Sequence, residues 1–451
     1  MSITPTRKRP HPPRTTARRP AAPSRSRQTP APKQKKAPAS PPPAAGADSE
    51  APTGRIWDSP TTSYYLLVSA TILLLALGLV MVLSASTVYS LRDTGGRTPL
   101  SGFFSQAKYA LMAIPVAVVI AHLPLKWLKA LVWPAMLGSL GLLGLGLIPA
   151  FRVAAGGNEA WIVIAGQSLQ PGEIAKLGLA LWLGLMLGNK QHQLDKVSHV
   201  VFPAGVGILL VLAGVLHTKD LGTALIYFIL VAGAMWVAGV PAMMFAVTGM
   251  VAVAVVTAFT ITSGNRMTRI LQFLGKGEHD PLGLDLQPVR ALQGLGTGGW
   301  SGVGLGASRA KWLYLPEAHN DYIFAIIGEE LGLLGTLVVL ALFLALAVGM
   351  TRVVKRHPDP FVKIATGGIG AWILGQAAIN IGVTINLLPV IGVPLPLISA
   401  GGSSLITTLF ALAFVIAFAR SEPGCAEALA SRRFRFRRSL AVLAPGRGRG
   451  R

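Results

Sequence analysis

Apolar runs of about 20 residues recur along this chain from Tyr64 to Ala419, and each is long enough to cross a hydrocarbon core roughly 30 Å thick. Only 13% of the 451 residues are charged while 52% are apolar, where a soluble domain carries about a quarter charged residues. Both observations exclude an ordinary cytosolic enzyme. The expected fold is an all-α integral membrane protein.

Apolar blocks between charged or turn-rich breaks predict about ten transmembrane helices near 64–87, 107–124, 127–150, 173–189, 199–216, 221–239, 241–261, 321–350, 364–387 and 396–419. Lys and Arg in short loops are retained on the cytoplasmic face. Lys126, Lys129, Lys190, Lys196, Arg352, Lys355, Arg356 and Lys363 all fall in loops that share a side with both ends of the chain. The expected arrangement thus has cytoplasmic termini and one large extracytoplasmic loop, 262–320, between helices seven and eight. Residues 1–58 are too rich in Pro, Arg, Ala and Ser to bury a core and read as a disordered basic tail. Residues 59–419 form the membrane domain, and 420–451 a second basic tail carrying the lone cysteine, Cys425. No loop is large enough for a cytosolic ATPase domain, and no Gly-x-x-x-x-Gly-Lys-Ser/Thr phosphate loop occurs. Any work must draw on a gradient or on a substrate that arrives activated.

The formal charge of +23 invites a nucleic-acid reading until it is located. Residues 1–58 hold twelve Lys/Arg against three Asp/Glu and residues 420–451 nine against two, so the ends carry +16 of it. The first tail has one aromatic, Trp57, which offers no stacking platform for bases. Anionic membrane lipid is the expected contact, and nucleic acid is not.

Chemistry-bearing residues cluster in a few blocks. Pro316-Glu317-Ala318-His319-Asn320-Asp321 runs from a polar loop straight into an apolar helix. Asn320 would cap that helix and place Asp321 in its first turn, where negative charge is favoured. The same position would keep Asp321 ionised at the aqueous interface, as a general base for a hydroxyl requires. Glu329 and Glu330 lie about 12 Å deeper at 1.5 Å per residue, where ionised groups must pair, with Lys176 for example, or line a polar cavity. Glu173 and Lys176 stand three apart and could satisfy each other. Asp220 sits at a capping position beside His217 and Lys219. Arg266, Arg269, Lys276, Arg290, Arg309 and Lys311 are solvated loop charges individually, or together a cradle for phosphate or pyrophosphate. Gly294, Gly296 and Gly299 formally match G-x-G-x-x-G, but without a flanking strand they read as a flexible loop rather than a dinucleotide site. Prolines 389, 394 and 396 and the Gly401-Gly402 step interrupt the chain before the last helix, which suggests a lined groove bearing Ser399 and Ser403.

Taken together, Gln170-Pro171-Gly172-Glu173-x-x-Lys176, Asp220-Leu221-Gly222-Thr223, the run from Pro316 to Gly335 and the run from Pro394 to Ser404 resemble the SEDS family of bacterial cell-wall proteins over about residues 60–420. The division branch fits better than the elongation branch. The resemblance implies a ten-span peptidoglycan glycosyltransferase that polymerises lipid II beside a class B penicillin-binding protein, with other divisome proteins as partners at the septum of the cytoplasmic membrane. It implies Asp321 as the catalytic acid, and it adds Trp161 to the substrate-site candidates Glu173, Lys176, Asp220, Arg266, Arg269, Lys311, Glu317, His319, Ser399 and Ser403. Ala160, Gly172, Lys219 and Ala400 depart from the family pattern. Lipid II brings its own polyprenyl pyrophosphate leaving group, so no nucleotide cofactor is implied. A divalent cation, Mg or Mn, could stabilise that leaving group, although no Asp-x-Asp pair marks its place. Broken helices and buried carboxylates would also suit a lipid II flippase, and a divisome scaffold without activity is the third alternative.

Overall fold

The computed structural model describes residues 59–155, 158–164, 166–276 and 286–431. Residues 1–58 and 432–451, where most of the two basic tails fall, lie outside the described residues. Helices α1 (Thr62–Asp93), α2 (Ser101–His122) and α3 (Leu125–Leu145) lead into strands β1 (Arg152–Ala155), β2 (Asn158–Ile164) and β3 (Gln167–Leu169). Next come α4 (Pro171–Asn189), α5 (Val197–His217), α6 (Leu221–Ala238) and α7 (Ala242–Ile261), then two shorter helices, α8 (Gly264–Phe273) and α9 (Leu286–Gly298). The last three spanning helices are α10 (Ile323–Arg356), α11 (Pro360–Thr384) and α12 (Gly402–Arg420).

Among the described residues nine helices are long and apolar enough to cross a membrane. Helix α4, 19 residues long, is the tenth. Glu173 and Lys176 lower its apolarity, but α3, α6 and α11 enclose it so completely that those two side chains are 2% and 0% exposed. Small residues make this centre tight: a Cβ on Gly233 of α6 would lie 2.2 Å from that of Ala371 on α11. Helix α7, in contrast, sits at the rim and turns Met243, Val247, Met250 and Val253 outward. The chain is a multi-pass membrane protein.

Four expectations need correction. The third spanning helix stops at Leu145, and residues 152–169 form a small antiparallel meander, β1-β2-β3, so the all-α bundle carries a minor β element. Helix α10 begins at Ile323 with Tyr322 at its N-cap, which leaves Asn320 without a capping role and Asp321 outside the first turn. The last helix begins at Gly402 because the segment with Pro394 and Pro396 crosses the bundle end as irregular backbone. Finally, the glycine-rich stretch of the large loop is packed. Gly294 and Gly296 lie inside α9, and a Cβ on Gly298 would meet the Gly328 carbonyl at 1.9 Å. Residues 299–304 run along a break in α10 at Gly332, whose φ is 67°. Leu333 N donates to Gly299 O at 2.9 Å and Val303 N to Glu329 O at 3.0 Å, so each backbone supplies what the other lacks at the break. Burial also continues past residue 419, since Glu422 and Cys425 are both enclosed.

Candidate active site

The approach to α10 is shaped by a tight turn at Glu317, a non-glycine residue at φ 55°. The amides of Asn320, Asp321 and Tyr322 all donate to the Glu317 carbonyl, at 3.1, 3.1 and 3.3 Å. The carbonyls of the adjoining residues point the other way, into the layer formed by α11 and the irregular segment before α12. Ala400 N donates to His319 O at 3.0 Å, Ser399 Oγ to Asn320 O at 2.6 Å, and Asn380 Nδ2 to Asp321 O at 2.7 Å. Asn380 Nδ2 also donates to Val393 O at 2.8 Å, and Ser399 Oγ accepts from Leu395 N at 2.8 Å.

Asp321 itself takes no hydrogen bond on its carboxylate from the described residues. Gly392, at φ 76°, stands below it, where an added Cβ would come within 3.4 Å of Asp321 Oδ2. Burial pushes the Asp321 carboxyl up to about 7, the neighbouring Glu317 charge adds to the rise, and Arg269 of α8 opposes it. The expectation of a fully ionised surface carboxylate is thereby corrected, because the low-polarity surroundings that shape the site also hold the proton. The Tyr322 hydroxyl, the Arg269 Nε and the Asn380 Oδ1 are buried beside it without hydrogen-bond partners among the described residues. His319 stacks on Tyr89 of α1 with ring centroids 4.5 Å apart, and Tyr89 in turn donates to Leu315 O at 3.1 Å.

The other candidates take up varied positions. Lys176 Nζ donates to Glu173 Oε1 at 2.7 Å and to Gln376 Oε1 at 2.9 Å, and lies 4.9 Å above the Trp372 ring. Gln376 passes the connection on by donating to Pro394 O at 2.8 Å. Asp220 caps α6 through Thr223 N at 3.0 Å and accepts from Gln170 Nε2 at 2.8 Å. Ser403 accepts from Gln170 N at 3.1 Å. Arg266 clips the Lys219 and Phe259 carbonyls. Trp161 lies on β2 opposite Val153. Lys311 is buried against Glu330 at 3.3 Å and Ser84 at 3.3 Å, so Glu330 finds its cation in the large loop instead of in Lys176. Asp321, Glu317, His319, Ser399 and Arg269 are thus brought together, while Lys176 and Lys311 sit in separate buried nodes.

Reading the sequence missed Asn380, Gln376 and Gln106. Gln106 of α2 donates to Ser399 O at 3.1 Å and accepts from Gly401 N at 3.1 Å. The available signal was the amide side chain itself inside an apolar span, since polar groups at membrane depth must be paired. Among the described residues no three His, Cys, Asp or Glu side chains group to hold a metal ion. Glu317 and Asp321 are the carboxylates at this end of the bundle that would hold Mg or Mn, with waters and the substrate pyrophosphate completing its oxygen shell.

Residues 64–423 match the FtsW, RodA and SpoVE family, described as cell cycle proteins. A probable peptidoglycan glycosyltransferase FtsW of Mycobacterium tuberculosis is 37% identical, covering 82% of this chain and 70% of the relative. One from Nitrosococcus halophilus is 35% identical, covering 79% and 92%. Among solved structures, a chain from work on coordinated polymerization and crosslinking by a peptidoglycan synthase complex has a TM-score of 0.62 at 26% identity, covering 79% of this chain and 97% of that one. The rod shape determining protein RodA of Thermus thermophilus has a TM-score of 0.58 at 25% identity, covering 79% and 96%. The chain belongs to the FtsW, RodA and SpoVE family of cell cycle proteins, the one its motifs resemble.

Proposed function

We propose that this protein is a peptidoglycan glycosyltransferase of cell division that polymerises lipid II into glycan strands, with Asp321 as the general base. The observation that carries this reading is a carboxylate held at the end of the bundle beside Glu317 and Arg269, with no hydrogen bond on its oxygens from the described residues and a proton affinity near neutrality. A base whose pKa lies near the working pH combines a useful ionised fraction with a useful driving force for proton transfer. Asp321 accepts the proton of the acceptor GlcNAc 4-hydroxyl as that oxygen bonds to the donor's anomeric carbon. The bond from that carbon to the polyprenyl pyrophosphate breaks, and the pyrophosphate leaves with the electron pair. Arg269, across from Asp321 on α8, offers the charge that stabilises the departing group.

The reaction belongs on the outer face of the cytoplasmic membrane. Lys126, Lys129, Lys190, Lys196, Arg352, Lys355, Arg356 and Lys363 fall in or beside the connections that alternate along the chain with the one holding Asp321, and basic residues in such short connections favour the cytoplasmic face. A class B penicillin-binding protein that crosslinks the new strand is the partner this chemistry calls for, and the septum its place of work. The flippase reading loses support from the burial of Glu173, Lys176, Glu330 and Lys311 in mutual pairs, because a translocation path needs polar groups open to its cargo. The test is purified protein with its crosslinking partner, given labelled lipid II in detergent, where no sidedness exists. Polymer from wild type and none from Asp321→Asn is expected. Undiminished polymer from Asp321→Asn removes Asp321 as the base, and translocation in vesicles without polymer favours the flippase.

A further inference from the structure

We propose that Asn380 of α11 is a positioning residue for the reaction: it aims the Asp321 carboxylate by holding its main chain against the irregular segment that precedes α12. This inference rests on the reading of Asp321 as the base.

Three successive carbonyls, those of His319, Asn320 and Asp321, are each held by a donor from this one layer. Two of the donors, Ala400 N and Ser399 Oγ, act on residues before Asp321. Among the described residues Asn380 is the donor that acts on the carbonyl of Asp321 itself. Its Nδ2 splits between Asp321 O at 2.7 Å and Val393 O at 2.8 Å, so one side chain from a spanning helix joins the base to the segment that contains Gly392. Both partners are carbonyl acceptors, and this fixes which end of the amide faces them.

Two features set Asn380 apart from an ordinary structural crosslink. Its Oδ1 is buried with no partner among the described residues, although buried polar atoms are nearly always paired. The segment it ties to Asp321 also carries Gly392, which stands against the carboxylate. Gly392, one residue from Val393, lies where a Cβ would come into contact with Asp321 Oδ2, at 3.4 Å. The Asn380 bridge therefore keeps the Gly392 segment and the Asp321 main chain in register, and its loss lets the two move independently. The charged and titratable groups that face Asp321 are Glu317 on its own turn and Arg269 of α8, with His319 and Tyr322 alongside. None of them lies on α11, so a change at Asn380 adds or removes no charge near the base.

The experiment compares Asn380→Ala, Asn380→Gln and Ser399→Ala with wild type in lipid II polymerisation with the crosslinking partner, over pH 5.5 to 8.5. Asp321→Asn is run in parallel. With the main chain released, Asn380→Ala is expected to lose tenfold or more in kcat with less than a twofold change in KM. Its acidic limb should move to lower pH, because a loosened carboxylate gains water. Asn380→Gln, which keeps the donor, should recover part of the rate and of the limb. A merely structural defect would lower the active fraction and leave the limb in place, and that result overturns the proposal. If Asn380→Ala does not fold, Asn380→Gln and Ser399→Ala decide on the same two readouts. Wild-type kcat and pH profile in the Asn380 variants, with Asp321→Asn inactive, refute the positioning role alone. An active Asp321→Asn refutes the base on which it rests.

Discussion

Asp321 and the pair Glu329 and Glu330 lie on one stretch of chain, eight and nine residues apart, and the fold treats them in opposite ways. Glu329 accepts from Ser308 Oγ, Arg309 N and Ala310 N, the amides at 2.9 and 3.3 Å. Glu330 accepts from Ser84 Oγ at 2.7 Å and from Lys311 Nζ at 3.3 Å. Those carboxylates are well partnered, and what they bind is the large loop and Ser84 of α1, so that the loop is fastened along α10. The Asp321 carboxylate is left open by the described residues while its main chain is fastened instead. In a membrane protein a buried acid alone does not mark a site, because ionised groups there must be partnered to be tolerated. The distinguishing mark is which part of the residue the fold has bonded, the acid or the backbone behind it.

The largest effect that sharpens this comparison is on activity. Asp321→Asn keeps the shape and the main-chain contacts and should lower polymerisation by about 10²- to 10⁴-fold, the range for removing a general base. Its thermal midpoint should stay at or above that of wild type, since a carboxylate with no hydrogen bond contributes no pairing to the fold. Both are read from glycan product on gels and from unfolding in detergent. A large loss of stability would make Asp321 one more structural acid.

Glu330→Gln and Lys311→Met should behave in the reverse manner. Each strands its buried partner, at a cost of about 3–5 kcal/mol, so unfolding in detergent should show a marked drop in midpoint. Activity per folded molecule should fall far less than in Asp321→Asn. The double change Glu330→Gln with Lys311→Met, which removes both charges, should recover much of the single-variant loss. Failure to recover would mean that the pair does more than satisfy itself.

These contrasts also explain what could be read in the sequence. The spans were legible because each is a continuous apolar run, and α4 was legible despite Glu173 and Lys176 because the rest of it is apolar. Asp321 was legible from its place between a polar loop and a span, and through the PEAH-type motif around it. Its partners were not, because Asn380 lies 59 residues further along the chain, and no local pattern sets long-range hydrogen bonds. The N-cap was misplaced for a related reason. Local preference favours Asn320 as the cap, but the turn at Glu317 draws three amides to one carbonyl and delays the helix to Ile323. The meander between α3 and α4 escaped because its strands are only four, seven and three residues long.

An intermediate effect concerns pH. With the Asp321 carboxyl at about 7, kcat/KM at low substrate should fall roughly tenfold per unit as pH drops below that value, since the ionised form is the base. Stability should move in the opposite direction. A carboxyl raised from its ordinary 3.8 to about 7 binds a proton more tightly in the folded state, so its contribution is present at about pH 4 and is lost as pH rises through 7. Thermal unfolding of wild type and Asp321→Asn should therefore diverge as pH goes from 5 to 8, with the variant the less sensitive of the two. Parallel curves would show that Asp321 is not held in a poorly solvated place.

The smallest effect is expected at the far end of the bundle, where a third kind of acid completes the comparison. Asp359 Oδ2 lies 2.6 Å from Lys129 Nζ, closer than Glu330 lies to Lys311, yet the two side chains are 20% and 39% exposed. Proximity there does not bring strength, because water and salt screen an exposed pair and holding two mobile side chains costs entropy. Asp359 also accepts from Phe361 N at 3.0 Å as the N-cap of α11, a role that needs no lysine. Lys129→Ala should then shift stability by less than about 1 kcal/mol, leave polymerisation unchanged, and lose even that difference in 0.5 M salt. Asp359→Ala should cost about 1 kcal/mol more through the lost cap, which Asp359→Asn should retain. If Lys129→Ala proved as damaging as Lys311→Met, burial would not be what separates these acids.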